Sequence, residues 1–254
     1  IPDKTNSDLC SVGGPGIDWW RLLTGCQGTF GVVTIMNVKI FHKPLKQKVV
    51  FIPFDSLEDA VTPFYALQRR EIGHECFLLN GYDIAAIMAQ NQGDIPGLAK
   101  KIPRYAIVLN LWGGQFFPED RIAFEEKAVG EIAERYNLEV GERLDGVPEA
   151  NLRFQKMLNR PWEGEVYWKE RQSGGCLEMV FESGLDKVPS YWKLFKTMAG
   201  EHGIDTTNLG LYIQPRQRAR VCHVEFHIPC DPNDAAEVAQ VKGFQRAAFE
   251  GLMS

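Results

Sequence analysis

A chain of 254 residues, 44% hydrophobic and 24% charged, is long enough for one large or two small domains with cores of their own. Its net charge of −5 is spread without a basic cluster, which excludes the footprint of a nucleic-acid binder and leaves a small molecule as the expected substrate. No apolar run approaches the roughly 18 residues of a membrane span, and residues 1–8 lack the charged-then-apolar pattern of a signal peptide. The first residue is Ile1 rather than Met, as expected of a processed or truncated product. Six cysteines stand far apart with no C-x-x-C pair, so free thiols in a reducing cytoplasm are expected, not a disulfide framework.

In chain order, residues 1–18 hold turn formers such as Gly13-Gly14-Pro15-Gly16 and should be irregular. Residues 19–23 read as a short helical turn. A glycine segment follows, and residues 32–41 alternate as a strand closed by Lys43-Pro44, which puts a domain boundary near Pro44. Next come a strand over 48–53, a helix over 62–71 with Thr62 as N-cap and Pro63 at its first position, and a short strand over 76–79. Residues 104–112 form a clear strand, with Tyr105, Ile107, Leu109 and Leu111 on one face and Ala106, Val108, Asn110 and Trp112 on the other. A helix over 119–136 packs against it through a stripe that includes Ile122, Val129 and Ile132. A strand over 176–181 and a helix over 189–200 repeat the unit. Residues 209–214 and 220–228 then alternate as a hairpin, and a last helix opens with Asp231 as N-cap, Pro232 at its first position and Asp234 in a capping box. The pattern specifies an α+β fold: a largely antiparallel sheet covered by helices on one face, with the polar residues on the other.

Gly25, Gly28 and Gly31 recur at three-residue intervals just before a strand. A doubly wound dinucleotide fingerprint would follow a strand and open a helix, so the context excludes it. Without Cβ atoms such a backbone can approach a flat or phosphorylated cofactor closely, although spacing alone is equally consistent with a tight turn.

The stretch Gly14-Pro15-Gly16-Ile17-Asp18, and then residues 22–34 with Gly25-Cys26-Gln27-Gly28-Thr29-Phe30-Gly31-Val32-Val33-Thr34, resembles the end of the FAD-binding domain in the vanillyl-alcohol oxidase and p-cresol methylhydroxylase family of FAD-linked oxidases. Lys43-Pro44 matches the basic-Pro pair that ends the family's next strand. More weakly, the helix start at Ser56 to Ala60 and the hairpin residues Tyr212-Ile213-Gln214-Pro215 are similar to the ferredoxin-like cap domain of these enzymes. The resemblance implies that residues 1–44 are the C-terminal remnant of an FAD-binding domain and residues 45–254 a ferredoxin-like substrate or cap domain. It also implies that the backbone at Gly25, Gly28, Thr29, Gly31, Val32 and Val33 meets FAD. The parent enzyme would oxidise an alcohol, phenol or 2-hydroxy acid by hydride transfer to flavin, passing electrons to oxygen or an acceptor protein. The pyrophosphate loop and flavin-linking residue of the family are absent from this chain, so the fragment is expected to retain little FAD and to be inactive alone. A non-catalytic ferredoxin-like module that binds a ligand or partner is the alternative, with a homodimer left open.

On the hairpin, His223, Glu225 and His227 share one face while Cys222, Val224, Phe226 and Ile228 share the other. Tyr212 and Gln214 fall on the polar side of the partner strand, and Arg216 lies at the turn. Such a set suits binding of a carboxylate or phenolate substrate, Arg216 by charge and Tyr212 by hydrogen bond, with a histidine taking the proton as hydride leaves to the flavin. A solvated sheet face explains the same pattern. So does a metal held by His223 and His227 with Glu225 or Cys230, although the His-rich Gly-Asp-Gly-Asn motif of metal-dependent relatives is missing. Asn110 and Trp112 either line the same pocket or simply pack their strand.

Overall fold

A computed structural model describes residues 23, 25–37, 40, 42–161, 163, 164 and 166–253. The chain divides into two compact units, residues 1–41 and 42–254. Of the helical turn expected over 19–23, only Leu23 lies among the described residues.

The described part of the first unit is a turn followed by extended chain. Thr29 donates to the Cys26 carbonyl from its hydroxyl at 2.7 Å and from its backbone N–H at 3.0 Å. Gln27 and Gly28 complete the turn with φ of 49° and 80°. The strand expected over 32–41 is not formed at 32–37 or 40, and positions 38, 39 and 41 lie outside the described residues. A strand exists only where a neighbour takes its N–H and C=O groups, and alternation cannot supply that neighbour. Val32, Ile35 and Met36 stand exposed.

The second unit runs β1 (Lys46–Phe54), α1 (Leu57–Arg69), β2 (Glu75–Asn80), α2 (Gly81–Met88), α3 (Ile95–Ala99), β3 (Tyr105–Gly113), α4 (Pro118–Tyr136), α5 (Ala150–Asn159), β4 (Gly175–Ser183), α6 (Val188–Glu201), β5 (Gly210–Arg216), β6 (Val221–Cys230) and α7 (Ala235–Met253). The six strands form one sheet in the order β1-β3-β2-β5-β6-β4, antiparallel at every pairing. The α+β sheet read from the sequence is therefore present. Among the described residues no helix is long and apolar enough to cross a membrane. The five described cysteines are free thiols.

The first face of the sheet carries the four long helices. Ile107, Leu109, Ile213, Val224 and Phe226 meet Phe64 of α1, Val129 and Ile132 of α4, Phe195 of α6 and Phe244 of α7. Phe226 is the hub, with ring centroids 4.6 Å from Phe195 and 5.1 Å from both Trp192 and Phe181. The second face is divided. Over β1, β3 and β2 it is apolar and roofed by Ile84 and Met88 of α2 and Phe154 of α5. Over β5, β6 and β4 it turns polar, and that half carries Tyr212, His223, Glu225 and His227.

Two helix starts differ from the sequence expectation. α1 begins at Leu57 with Ser56 as N-cap, its hydroxyl accepting from the Asp59 N–H at 3.2 Å. Pro63 sits inside that helix on its buried stripe with Leu57, Ala60, Phe64 and Leu67. Packing of the stripe outweighs the bond that proline forfeits to the Asp59 carbonyl. α7 is capped by Asp234, whose Oδ1 accepts from the N–H groups of Ala236 at 2.9 Å and Glu237 at 3.2 Å. Asp231 instead closes a turn on the Asn233 N–H at 2.8 Å.

Truncating the hub tests this core. Phe226→Ala is expected to lower stability by ~3–5 kcal/mol in urea denaturation, and a loss under ~1 kcal/mol would show that the aromatic cluster does not anchor the sheet.

Candidate functional site

The two-residue period of β6 brings His223, Glu225 and His227 to the polar half of the second face. Asn80, the last residue of β2, fixes what stands over them. Its side chain caps α2 by accepting from the Asp83 N–H at 3.1 Å, accepts from the Leu211 N–H at 3.1 Å and donates to the Leu209 carbonyl at 2.7 Å. The first turn of α2 is thereby sewn to β5, and Asp83 hangs above Gly210, which pairs with His227 across the ladder. A Cβ at Gly210 would overlap the Asp83 carboxyl and come 2.7 Å from His227 Nδ1. Only glycine leaves room for the pair.

His227, 1% exposed, lies between two carboxylates: Nδ1 is 2.9 Å from Asp83 Oδ2 and Nε2 is 2.9 Å from Glu225 Oε2. Both nitrogens must donate, so the ring is an imidazolium. Burial would lower its pKa, but the Asp83 charge and hydrogen bond, together with the Glu225 hydrogen bond, outweigh this and lift it to about 9. Lys169 reaches in from a short helical turn, its ammonium 2.5 Å from Glu225 Oε2 and 3.0 Å from Glu178 Oε2. Its burial is likewise outweighed by the two carboxylate hydrogen bonds, and its pKa rises. Burial acts to raise the pKa of Glu225, yet hydrogen bonds from His227, Lys169 and His223 hold it well below the usual carboxylate range.

His223 completes the set, with Nε2 2.7 Å from Glu225 Oε1 and its side chain partly exposed. Because Glu225 is ionised and accepts, Nε2 carries the proton and Nδ1 holds the lone pair when the ring is neutral. Aromatic rings wall the cluster. Trp168 packs edge-on to His227 at 5.6 Å, Tyr212 lies 6.3 Å from the His223 ring, and the Tyr212 hydroxyl donates to Gln214 Oε1 at 3.0 Å. Arg171, two residues beyond Lys169, donates to the carbonyls of Ala86 at 2.8 Å and Ala89 at 2.6 Å, which pins the Lys169 segment to the C-terminus of α2.

No family model matches the chain, and no curated protein does. Solved structures do. Over 82% of this chain and 43% of the other, it superposes on p-cresol methylhydroxylase with substrate bound at TM-score 0.58 and 13% identity. The chain is similar in fold to part of that structure. Alkyldihydroxyacetonephosphate synthase shares the fold at 14% identity in two crystal forms, with TM-scores of 0.57 and 0.55 over 94% and 93% of this chain. The chain spans 43–46% of the length of these structures, and at such identity the likeness is one of fold.

Within this fold the expected site residues separate into groups. His223, Glu225, His227, Tyr212 and Gln214 come together. Arg216 is tied to Glu182 and more than half exposed. Asn110 donates to Glu75 Oε2 at 2.7 Å, and Trp112 stacks on His74 with ring centroids 3.4 Å apart, so these side-chain partners lie on β2 and the turn before it instead of the hairpin. Cys230 belongs to the core of the first face, which removes it from any metal set with the histidines. Glu178, Glu225 and His227 do bring ligand atoms within 4.8 Å of one another. The Lys169 ammonium already bridges the two glutamates, so the chain supplies its own cation there. Asp83, Lys169 and Glu178 were not among the residues singled out from sequence. Asp83 had a readable signal, as an acid inside the apolar run Gly81–Met88, and Glu178 shares the even register of β4 with Glu182.

Two measurements test the network. A raised folded-state pKa means the native protein binds more protons than the unfolded chain, so stability falls as pH rises. For His227 the contribution is complete below its ordinary 6.5 and lost above about 9. Urea midpoints should therefore drop across that window in the wild type, and His227→Gln should flatten the drop. Gly210→Ala should cost ~2 kcal/mol or more by separating Asp83 from His227; a neutral effect would contradict the close approach.

Proposed function

We propose that the parent enzyme of this chain is an FAD-dependent oxidoreductase of an alcohol or phenol, with residues 1–44 ending its FAD-binding domain and residues 45–254 forming its cap. The single observation that carries the site assignment is the His223–Glu225 pair. A partly exposed imidazole with its Nδ1 lone pair free is oriented by a carboxylate that three donors hold ionised, which is the arrangement of a base and its positioner. His223 takes the proton of the substrate hydroxyl at Nδ1. His227 has no lone pair to offer, and its part is to hold Glu225, as is that of Lys169.

The glycine segment supports FAD as the cofactor. Among the described residues a Cβ at Gly25, Gly28 or Gly31 meets nothing within 4 Å, which leaves room for a flat group against this backbone. The backbone at Gly25, Gly28, Gly31, Val32 and Val33 would hold it, while Thr29, bound to the Cys26 carbonyl, shapes the turn. FAD, when bound, supplies the hydride acceptor, and the reduced cofactor passes electrons to oxygen or to an acceptor protein.

Charge narrows the substrate class. Four carboxylates (Asp83, Glu178, Glu182, Glu225) face three cations (Lys169, Arg216, His227), which leaves this set one negative with every cation engaged. A neutral alcohol or phenol is favoured over a 2-hydroxy acid, whose carboxylate finds no free cation here among the described residues. The same saturation is what a non-catalytic ligand- or partner-binding module would show, and the sharing of the fold by a protein named a synthase means the fold alone does not choose.

The full-length protein decides. It should carry flavin absorbance that bleaches on anaerobic addition of a neutral phenol or alcohol, and His223→Gln should slow the bleaching by ~10²–10⁴-fold with the fold intact. A colourless full-length protein that takes up no FAD would establish the non-catalytic reading instead.

A further inference from the structure

In a chain with a net charge of −5, a hollow of about 500 Å³ has a rim whose described residues carry an excess of positive charge. It lies between α2, α5 and the segment that follows α5. Arg153, Lys156 and Arg160 are spaced i, i+3, i+7 along α5 and its C-terminal cap, which lines them up on one side of the helix. Arg171 closes the rim from the other side. One described carboxylate opposes these four cations: Glu163, 2.5 Å from Arg160 and 3.5 Å from Lys156. Four cations less one anion leave three positive charges among the described lining residues.

The rim is preorganised. Arg171 is fixed by the carbonyls of Ala86, Ala89 and Gln90, and Arg153 by that of Met88. A guanidinium has five N–H groups, so Arg153 keeps donors beyond the one used on Met88. The floor is apolar, built from Met88, Met157 and Trp168. A cavity of this size exceeds what a bare oxyanion fills and falls in the range of small organic ligands.

We propose that this hollow binds an organic oxyanion, a phosphate or carboxylate carried on an apolar body, with the anionic group between Arg153, Lys156 and Arg160 and the apolar part on the methionines and Trp168. The hollow shares Trp168 with the wall of the hairpin cluster, but its cations take no part in that cluster, and the proposal does not depend on the reaction proposed there.

Calorimetric titration of the 254-residue chain tests this with phenyl phosphate as the probe and inorganic phosphate and phenol as controls. Phenyl phosphate should bind with Kd on the order of 1 mM or tighter at low salt, roughly tenfold tighter than either control. Lys156→Gln/Arg160→Gln, which changes two exposed side chains, should weaken it by roughly tenfold while the circular dichroism spectrum is unchanged. Absence of phenyl phosphate binding, equal binding of inorganic phosphate, or binding indifferent to the double substitution would each overturn the proposal.

Discussion

The Glu225 carboxylate is the interaction on which the polar half of the sheet depends. It stands on a β-sheet face where an isolated ionised carboxylate would be costly, and it is kept ionised by donors from three directions: His227, Lys169 and His223. Each donor is in turn fixed by something else. Asp83 takes the far side of His227, Glu178 takes a second bond from Lys169, and the Tyr212 ring lies beside His223. Removing His227 or Lys169 takes away a positive charge on which the Glu225 carboxylate depends, so effects within the network are not additive.

That unit exists because the fold brings distant parts of the chain to one place. Asp83 and His227 are 144 positions apart and Lys169 and Glu225 are 56 apart. Asn80 and Gly210 make the first meeting possible, one by binding the start of α2 to β5 and the other by lacking a side chain. Arg171 makes the second possible by anchoring its segment to the carbonyls at the end of α2. The same anchoring serves both the hairpin cluster and the basic hollow beside it, so α2 is the structural hinge between two chemically opposite surfaces, one negative and one positive.

The hairpin and its faces were legible in the sequence because strict alternation in β6 leaves no other register, and β3 and α4 were legible for the same reason of period. α2 was not, since a short helix that is buried nearly all round has no stripe to betray it. The start of α1 was misplaced because Thr62-Pro63 carries a genuine N-terminal signal, which the packing of Leu57 and Ala60 outweighs. The strand expected over 32–41 failed because alternation describes side chains and says nothing about a ladder partner. In the site, the polar face was visible but the division of labour was not: whether His223 or His227 retains a lone pair depends on Asp83, Lys169 and Gly210, and no local pattern links these to the hairpin.

The likeness to p-cresol methylhydroxylase and to a synthase is one of fold, and the proposed chemistry rests on the protonation of two histidines. Nitrogen-resolved NMR of the imidazoles in this chain measures that directly. His227 should show both ring nitrogens protonated from neutral pH up to about pH 9, and neutral His223 should carry its proton on Nε2 with Nδ1 bare. A neutral His227 at pH 7, or a His223 protonated on Nδ1 alone, would contradict the assignment of base and positioner.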